Sequence, residues 1–269
     1  MRDDRHSGSS EMTERLLSLV DRLCRQERDL TIEDWTEFAR SLRDCRPGIA
    51  TFHNIAKAMT LVIDEAGEEW QEELGRRVDQ LRKDEREAGE RIAARALGVV
   101  HGMTFLTFSY SGTVMRTLEL MNRKRDVQVL VAESQPLGEG RLTAQTLSQM
   151  GVPVRLLPDS LMAAVIDSVD GCLVGADAVL PQGVLNKVGT KALATISRSA
   201  GKPFHVLSSE LKVAELPVVD LVPSEESEDG IKKVSQLFDL TPLSLVDHLI
   251  TEKRDLSPGS LVWIKEAKP

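Results

Sequence analysis

Aromatic residues are scarce: six Phe, three Trp and one Tyr make up 4% of the 269 residues. That leaves no series of rings on which single-stranded nucleic acid could stack. Basic residues are not in excess either. Acidic residues outnumber Lys and Arg by 42 to 34, and the formal net charge of -8 argues against nucleic acid as a partner, since binding needs a basic face. No apolar run approaches the roughly 20 residues that span a bilayer, so no membrane partner is expected. The opening MRDDRHSGSSEM lacks the apolar centre of a secretory signal. Residues 1–10 read as a disordered lead-in, and the chain as cytoplasmic. Cysteines are few. Cys24, Cys45 and Cys172 are scattered, which fits a reduced compartment and shows no metal-type spacing. His6, His53, His101, His205 and His248 do not cluster, so no metal site is expected. No GxGxxG follows the first predicted strand, and no cofactor is expected. No GxSxG motif supports acyl transfer.

What is present falls into two parts with different periods. The first third is helical. Leu16, Leu17, Val20 and Leu23 share a helix face, with Ser9 or Thr13 as its cap. Leu30–Leu42 is a second helix, opened by a capping box of Thr31 and Asp34. Pro47-Gly48 punctuates the chain. Ile49–Ala66 is a third helix, and Glu68–Leu97 a long charged one with Trp70, Leu74, Val78 and Leu81 as its stripe. After Gly98, β-rich runs alternate with helical stretches near 112–122, 141–150, 160–167 and 186–200. The runs are Met103–Phe108, Val127–Val131, Val154–Leu157, Cys172–Val174 and Phe204–Leu207. Uniformly apolar strands separated by helices predict a parallel sheet covered on both faces. The expected fold class is α/β. A helical domain over 11–97 precedes a doubly wound, Rossmann-like parallel sheet domain over 98–269, which carries the ligand pocket and a dimer interface.

Ligands of such sheets sit beyond the carboxyl ends of the strands. Three segments there are chemically rich. Ser109 to Thr113 links a strand to a helix, and Ser111, Gly112 and Thr113 place amides and hydroxyls where a phosphate is favoured. A Ser cap with an eased turn explains the same residues. Glu133 to Arg141 follows the next strand. Glu133 could accept sugar hydroxyls, and the segment also fits an ordinary loop. Cys172–Ala194 is the richest. Asp177 at a strand end suits a general acid or base, Asn186 can orient hydroxyls, and Lys187 at a helix start can hold phosphate as a point charge. As turn residues and a surface charge they would have no such role. Lys212 follows the strand 204–207 and reads as a further cleft lysine or a surface one. Cys172 reads as a buried small hydrophobe.

Together TFSYSGTVMRTLE (107–119), AESQPLGEGRLTA (132–144), VGADAVLPQGVLNKVGTKALA (174–194) and FDLTPLSLVDHLITE (238–252) resemble one superfamily. It holds the alpha, beta and delta subunits of eukaryotic translation initiation factor 2B, ribose-1,5-bisphosphate isomerase and methylthioribose-1-phosphate isomerase. The resemblance implies the same two-part fold, dimerisation through the Rossmann-like part and a phosphosugar pocket. In the isomerases a cysteine of the first loop and the aspartate of the GAD motif carry the reaction. It opens a 1-phosphorylated sugar and moves a proton or hydride between C1 and C2. Asp177 matches that aspartate, and Asn186 and Lys187 match substrate-holding positions.

Three departures stand out. Ser109 occupies the cysteine position, and a hydroxyl ionises far above the thiol value of about 8.5 and so needs a base. Gln135 stands where the bisphosphate isomerases have arginine. The region around Arg46-Pro47-Gly48-Ile49-Ala50 resembles the noncatalytic subunits rather than the isomerases' Arg-Gly-Ala. The resemblance therefore implies a regulatory, noncatalytic protein that binds a phosphorylated sugar or nucleotide, forms a homodimer or higher homo-oligomer, and contacts a protein partner. The alternatives are an aldose–ketose isomerase of a phosphorylated pentose and a dimeric scaffold with a vestigial pocket.

Overall fold

The structure, a computed structural model, describes residues 9–26, 30–45, 49–216, 221 and 223–256. Most of the expected lead-in, residues 1–8, lies outside them, as do Arg46, Pro47 and Gly48. Helices α1 (Ser9–Gln26), α2 (Ile32–Cys45), α3 (Ala50–Glu65) and α4 (Trp70–Val99) open the described chain. Leu16, Leu17, Val20, Trp35, Phe52, Ile55, Met59 and Leu74 interlock in their shared core. Thr31 and Asp34 form the expected capping box, each backbone N–H donating to the other's side chain at 2.9 and 3.2 Å. Thr13 does not cap α1. It lies inside the helix, buried, and donates to the hydroxyl of Thr51 on α3 at 3.0 Å.

The second part is a seven-stranded sheet. Its strands are β1 (Thr104–Thr107), β2 (Gln128–Ala132), β3 (Val154–Leu157), β4 (Gly171–Val174), β7 (Phe204–Leu207), β11 (His248–Ile250) and β12 (Asp255–Leu256), in the order β12-β11-β7-β4-β1-β2-β3. All neighbours are parallel except β12 on β11. Alternation puts Leu106, Leu130, Cys172 and Phe204 on one face and Phe105, Val129, Leu173 and Leu207 on the other. Both faces are covered, as uniformly apolar strands require. Helices α5 (Gly112–Lys124), α6 (Gly140–Gln149) and α8 (Thr190–Ser199) fill the crossovers, with the short α7 (Met162–Val165) after β3. The expected helix at 160–167 is broken into that short turn and flanking 3₁₀ turns. The last turns of α4, through Ala88, Ile92 and Ala96, pack on β1 and α5. One continuous helix therefore serves both cores.

A second sheet was not expected. Strands β5 (Ala178–Leu180), β6 (Gly183–Lys187) and β10 (Phe238–Thr241) pair antiparallel in the order β10-β6-β5. Asn186 and Lys187 therefore end a strand instead of opening a helix, which begins only at Thr190. β6 gains ladder partners on both edges, and this tertiary pairing overrides the local helix signal. Strands β8 (Ser224–Glu228) and β9 (Ile231–Ser235) form a separate hairpin. Among the described residues no helix is long and apolar enough to cross a membrane.

Candidate functional site

The sheet's order reverses between β1 and β4. β1 leads to β2 and β3 on one side, then the chain returns to β4 on the other. A crevice forms beyond the carboxyl ends at such a point. The loop after β1 enters it through Ser109, whose φ of +68° is left-handed and unusual for a residue with a Cβ. Two hydrogen bonds hold this backbone, one of them from the matching turn at Ser134. The Ser109 N–H donates to Ser134 Oγ at 2.6 Å, Thr143 Oγ1 donates to the Ser109 carbonyl at 2.8 Å, and Ser134 is itself at φ +65°. Among the described residues no base hydrogen-bonds the Ser109 hydroxyl. Ser111 caps α5, accepting from the Val114 N–H at 3.4 Å. Its Oγ lies where a Cβ on Gly175 would stand, 2.5 Å from that position, so the first loop and the GAD motif touch only because residue 175 is glycine.

Asp177 follows directly. It is half-buried, and its N–H donates to the Leu185 carbonyl at 2.9 Å, tying the end of β4 to β6. On β6, Asn186 is buried and donates to Thr190 Oγ1 at 3.0 Å. Lys187 is buried as well, and its Nζ donates to Glu139 Oε1 at 2.8 Å. Lys212 is no surface lysine. It is buried and donates to the Ala176 carbonyl, beside Asp177, at 2.8 Å. Its segment is clamped from the helical part. Asn54 of α3 donates to the carbonyls of Leu211 and Val213, both at 2.8 Å, and Ser209 donates to Glu85 of α4 at 3.2 Å. Burial pushes the Glu85 carboxyl above its ordinary range, against the opposing charge of Lys212 and the Ser209 hydrogen bond. Burial likewise raises Asp239 of β10, although it accepts the N–H groups of Gly189 and Lys191 at the start of α8.

A model of the initiation factor 2 subunit family matches residues 5–258. The chain belongs to that family. A ribose 1,5-bisphosphate isomerase of Archaeoglobus fulgidus is 29% identical over 82% of this family member and 75% of its own length. A Pyrococcus furiosus protein described as a putative translation initiation factor eIF-2B subunit 2-like is 26% identical over 94% of this chain and 92% of its own. The Pyrococcus horikoshii translation initiation factor eIF-2B shares the fold, with a TM-score of 0.82 at 24% identity over 96% of this chain and 94% of that one.

Within this initiation factor 2 family chain, Ser109, Ser111 and Asp177 lie on the loops after β1 and β4, Asn186 and Lys187 end β6 of the second sheet, and Lys212 closes a 3₁₀ turn after β7. Gly112 and Thr113 form the first turn of α5. Glu133 and Gln135 follow the carboxyl end of β2. Glu133 is engaged by Arg141 in an ion pair. Gln135 is exposed, and what is fixed is its backbone, since the N–H groups of Ser134 and Gln135 both donate to Asp159 at 2.7 Å. Glu139, Asp159, Asp239, Asn54 and Glu85 were not singled out from sequence. Asp159 and Asp239 each sit at a strand's edge beside a Pro or Phe, a signal that turn residues share. Glu139 stands between two glycines, and nothing local distinguishes it from Glu133. Among the described residues no group of three or more His, Cys, Asp or Glu is placed to share a metal ion.

Proposed function

We propose that the chain binds a phosphorylated pentose beyond β1, β2 and β4 and interconverts its aldose and ketose forms. The observation that carries this reading is Asp177, an acid at the switch point of the sheet, next to the first turn of α5 through the Ser111–Gly175 contact. The helix end suits the phosphate, because free N–H groups and the helix dipole favour an anion there. Asp177 suits proton transfer at the sugar carbons. Opening the ring puts a proton on the ring oxygen as its bond to C1 breaks. Forming the C2 carbonyl takes a proton from the C2 hydroxyl, while hydrogen moves from C2 to C1. Product and substrate are isomers, so the reaction balances with no second reactant. The relationship to a ribose 1,5-bisphosphate isomerase makes ribose 1,5-bisphosphate the first substrate to try.

A second, noncatalytic reading draws on Ser109. Among the described residues its hydroxyl has no base as a partner, and the relative described as a putative translation initiation factor eIF-2B subunit 2-like spans nearly the whole chain. In either reading a homo-oligomer is proposed, and light scattering on the purified chain measures it. The two readings separate in one experiment, in which ketose formation is followed by NMR. Turnover by the native chain, lowered at least about 100-fold in Asp177→Asn with binding retained, supports the isomerase. Binding without turnover sinks it and leaves the regulatory reading.

A further inference from the structure

Lys187 and Glu139 form a pair that is satisfied on one side only. The lysine side chain is 5% exposed and the glutamate 24%, so the acid is the member nearer to solvent. Glu139 Oε1 takes the ammonium at 2.8 Å, while Oε2 is buried and has no hydrogen-bond partner among the described residues. A carboxylate only accepts, so what Oε2 lacks is a donor. A buried acceptor left in that state is costly.

The backbone explains why Glu139 points across the crevice. Gly140 lies so close to the end of β2 that a Cβ there would stand 1.8 Å from the Ala132 carbonyl oxygen, and Gly138 has φ +74°. The chain between these glycines starts beside β2, and the Glu139 side chain bridges from there to the end of β6. The other acid of the loop, Glu133, is turned to Arg141.

Resting on the phosphopentose reading above, we infer that Glu139 Oε2 accepts a hydrogen bond from a hydroxyl of the bound sugar. Lys187 is then a positioning residue that holds Glu139, and it is not the phosphate anchor. A phosphate on Lys187 would bring its negative charge against the Glu139 carboxylate, a repulsion that low-dielectric surroundings enlarge. A neutral hydroxyl meets no such repulsion and supplies the donor. The phosphate is left to the first turn of α5, at Ser111 to Thr113.

Calorimetry on the full chain with ribose 5-phosphate and with inorganic phosphate tests this. Glu139→Gln is expected to weaken ribose 5-phosphate by about tenfold or more, the scale of a hydrogen bond to a charged group, and to leave inorganic phosphate within about twofold. Unchanged ribose 5-phosphate affinity in the variant overturns the inference. So does tighter inorganic phosphate, because it would mean that a freed Lys187 anchors phosphate. Should Glu139→Gln fail to fold, the native chain answers with 2-deoxy and 3-deoxy ribose 5-phosphate. At least one is expected to bind about tenfold or more weakly, and equal affinity for all three overturns the inference. A native chain that binds none of these probes overturns the phosphopentose reading itself, and the role of Glu139 falls with it.

Discussion

Gly140 sets how closely the second loop folds back on its own strand. A methyl group at this position would meet the Ala132 carbonyl oxygen at 1.8 Å and its carbon at 2.8 Å, both backbone atoms that cannot swing away. Gly140→Ala is therefore expected to lower stability by about 3 kcal/mol, at the upper end of overpacking effects, as urea denaturation would show. A midpoint equal to that of the native chain would mean that the loop has room to shift. The same loop marks the limit of reading residues one at a time. Nothing in the sequence says which cation each of its two acids, Glu133 and Glu139, will meet. Their fates differ because Arg141 lies eight positions from one, while Lys187 is brought to the other from 48 positions away. Asp177 could be picked out as a candidate because a polar residue closing an apolar run has few explanations. Lys212 was left open between cleft and surface, since the carbonyl it reaches belongs to the distant loop between β4 and β5.

At the scale of elements, the parallel strands and their helices could be read from composition, because burial on both faces leaves an unbroken apolar run. The antiparallel sheet could not. β6 carries Asn186 and Lys187 just ahead of a helix, and its partner β10 begins more than 50 positions later. His205 and His248 were equally hidden. They stack across the β7–β11 pair with ring centroids 5.2 Å apart. Burial lowers the pKa of His205 to about 4, and the neighbouring charge of His248 adds to this, while Asp247 opposes it and His101 contributes slightly in the same sense. The unfolded chain, with an ordinary histidine near 6.5, binds the proton more readily than the folded one. Stability from this group is thus complete above about pH 6.5 and is lost as pH falls toward 4, by on the order of 3 kcal/mol. His205→Phe is expected to flatten that part of the stability–pH curve when the two proteins are titrated side by side. Parallel curves would remove His205 as the cause.

Across the described residues, the helical and sheet parts meet along α4, which runs through both cores, at Ala50 of α3 against β5 and β6, and at the segment around Lys212. Asn54 ties the last of these from α3, beside the Ser209–Glu85 hydrogen bond from α4. Asn54→Ala would leave the carbonyls of Leu211 and Val213 without their donor, at a cost of about 2 kcal/mol. Faster amide exchange is expected at Lys212 and Ala214, whose N–H groups are bonded to Ser209 and Val179. Exchange as slow as in the native chain would show that α4 alone keeps the segment in place. The pairing of β6 with β10 has a different consequence, one of timing. A ribosome releases the chain from its N-terminus at about 5–20 residues per second, and early parts begin folding first. Six of the residues in question, Ser109 through Lys212, emerge well before Phe238 to Thr241. Until those four residues arrive, the end of β6 that carries Asn186 and Lys187 has no strand beside it, because β5 pairs only with Gly183 to Leu185. The site is thus among the last features that synthesis completes.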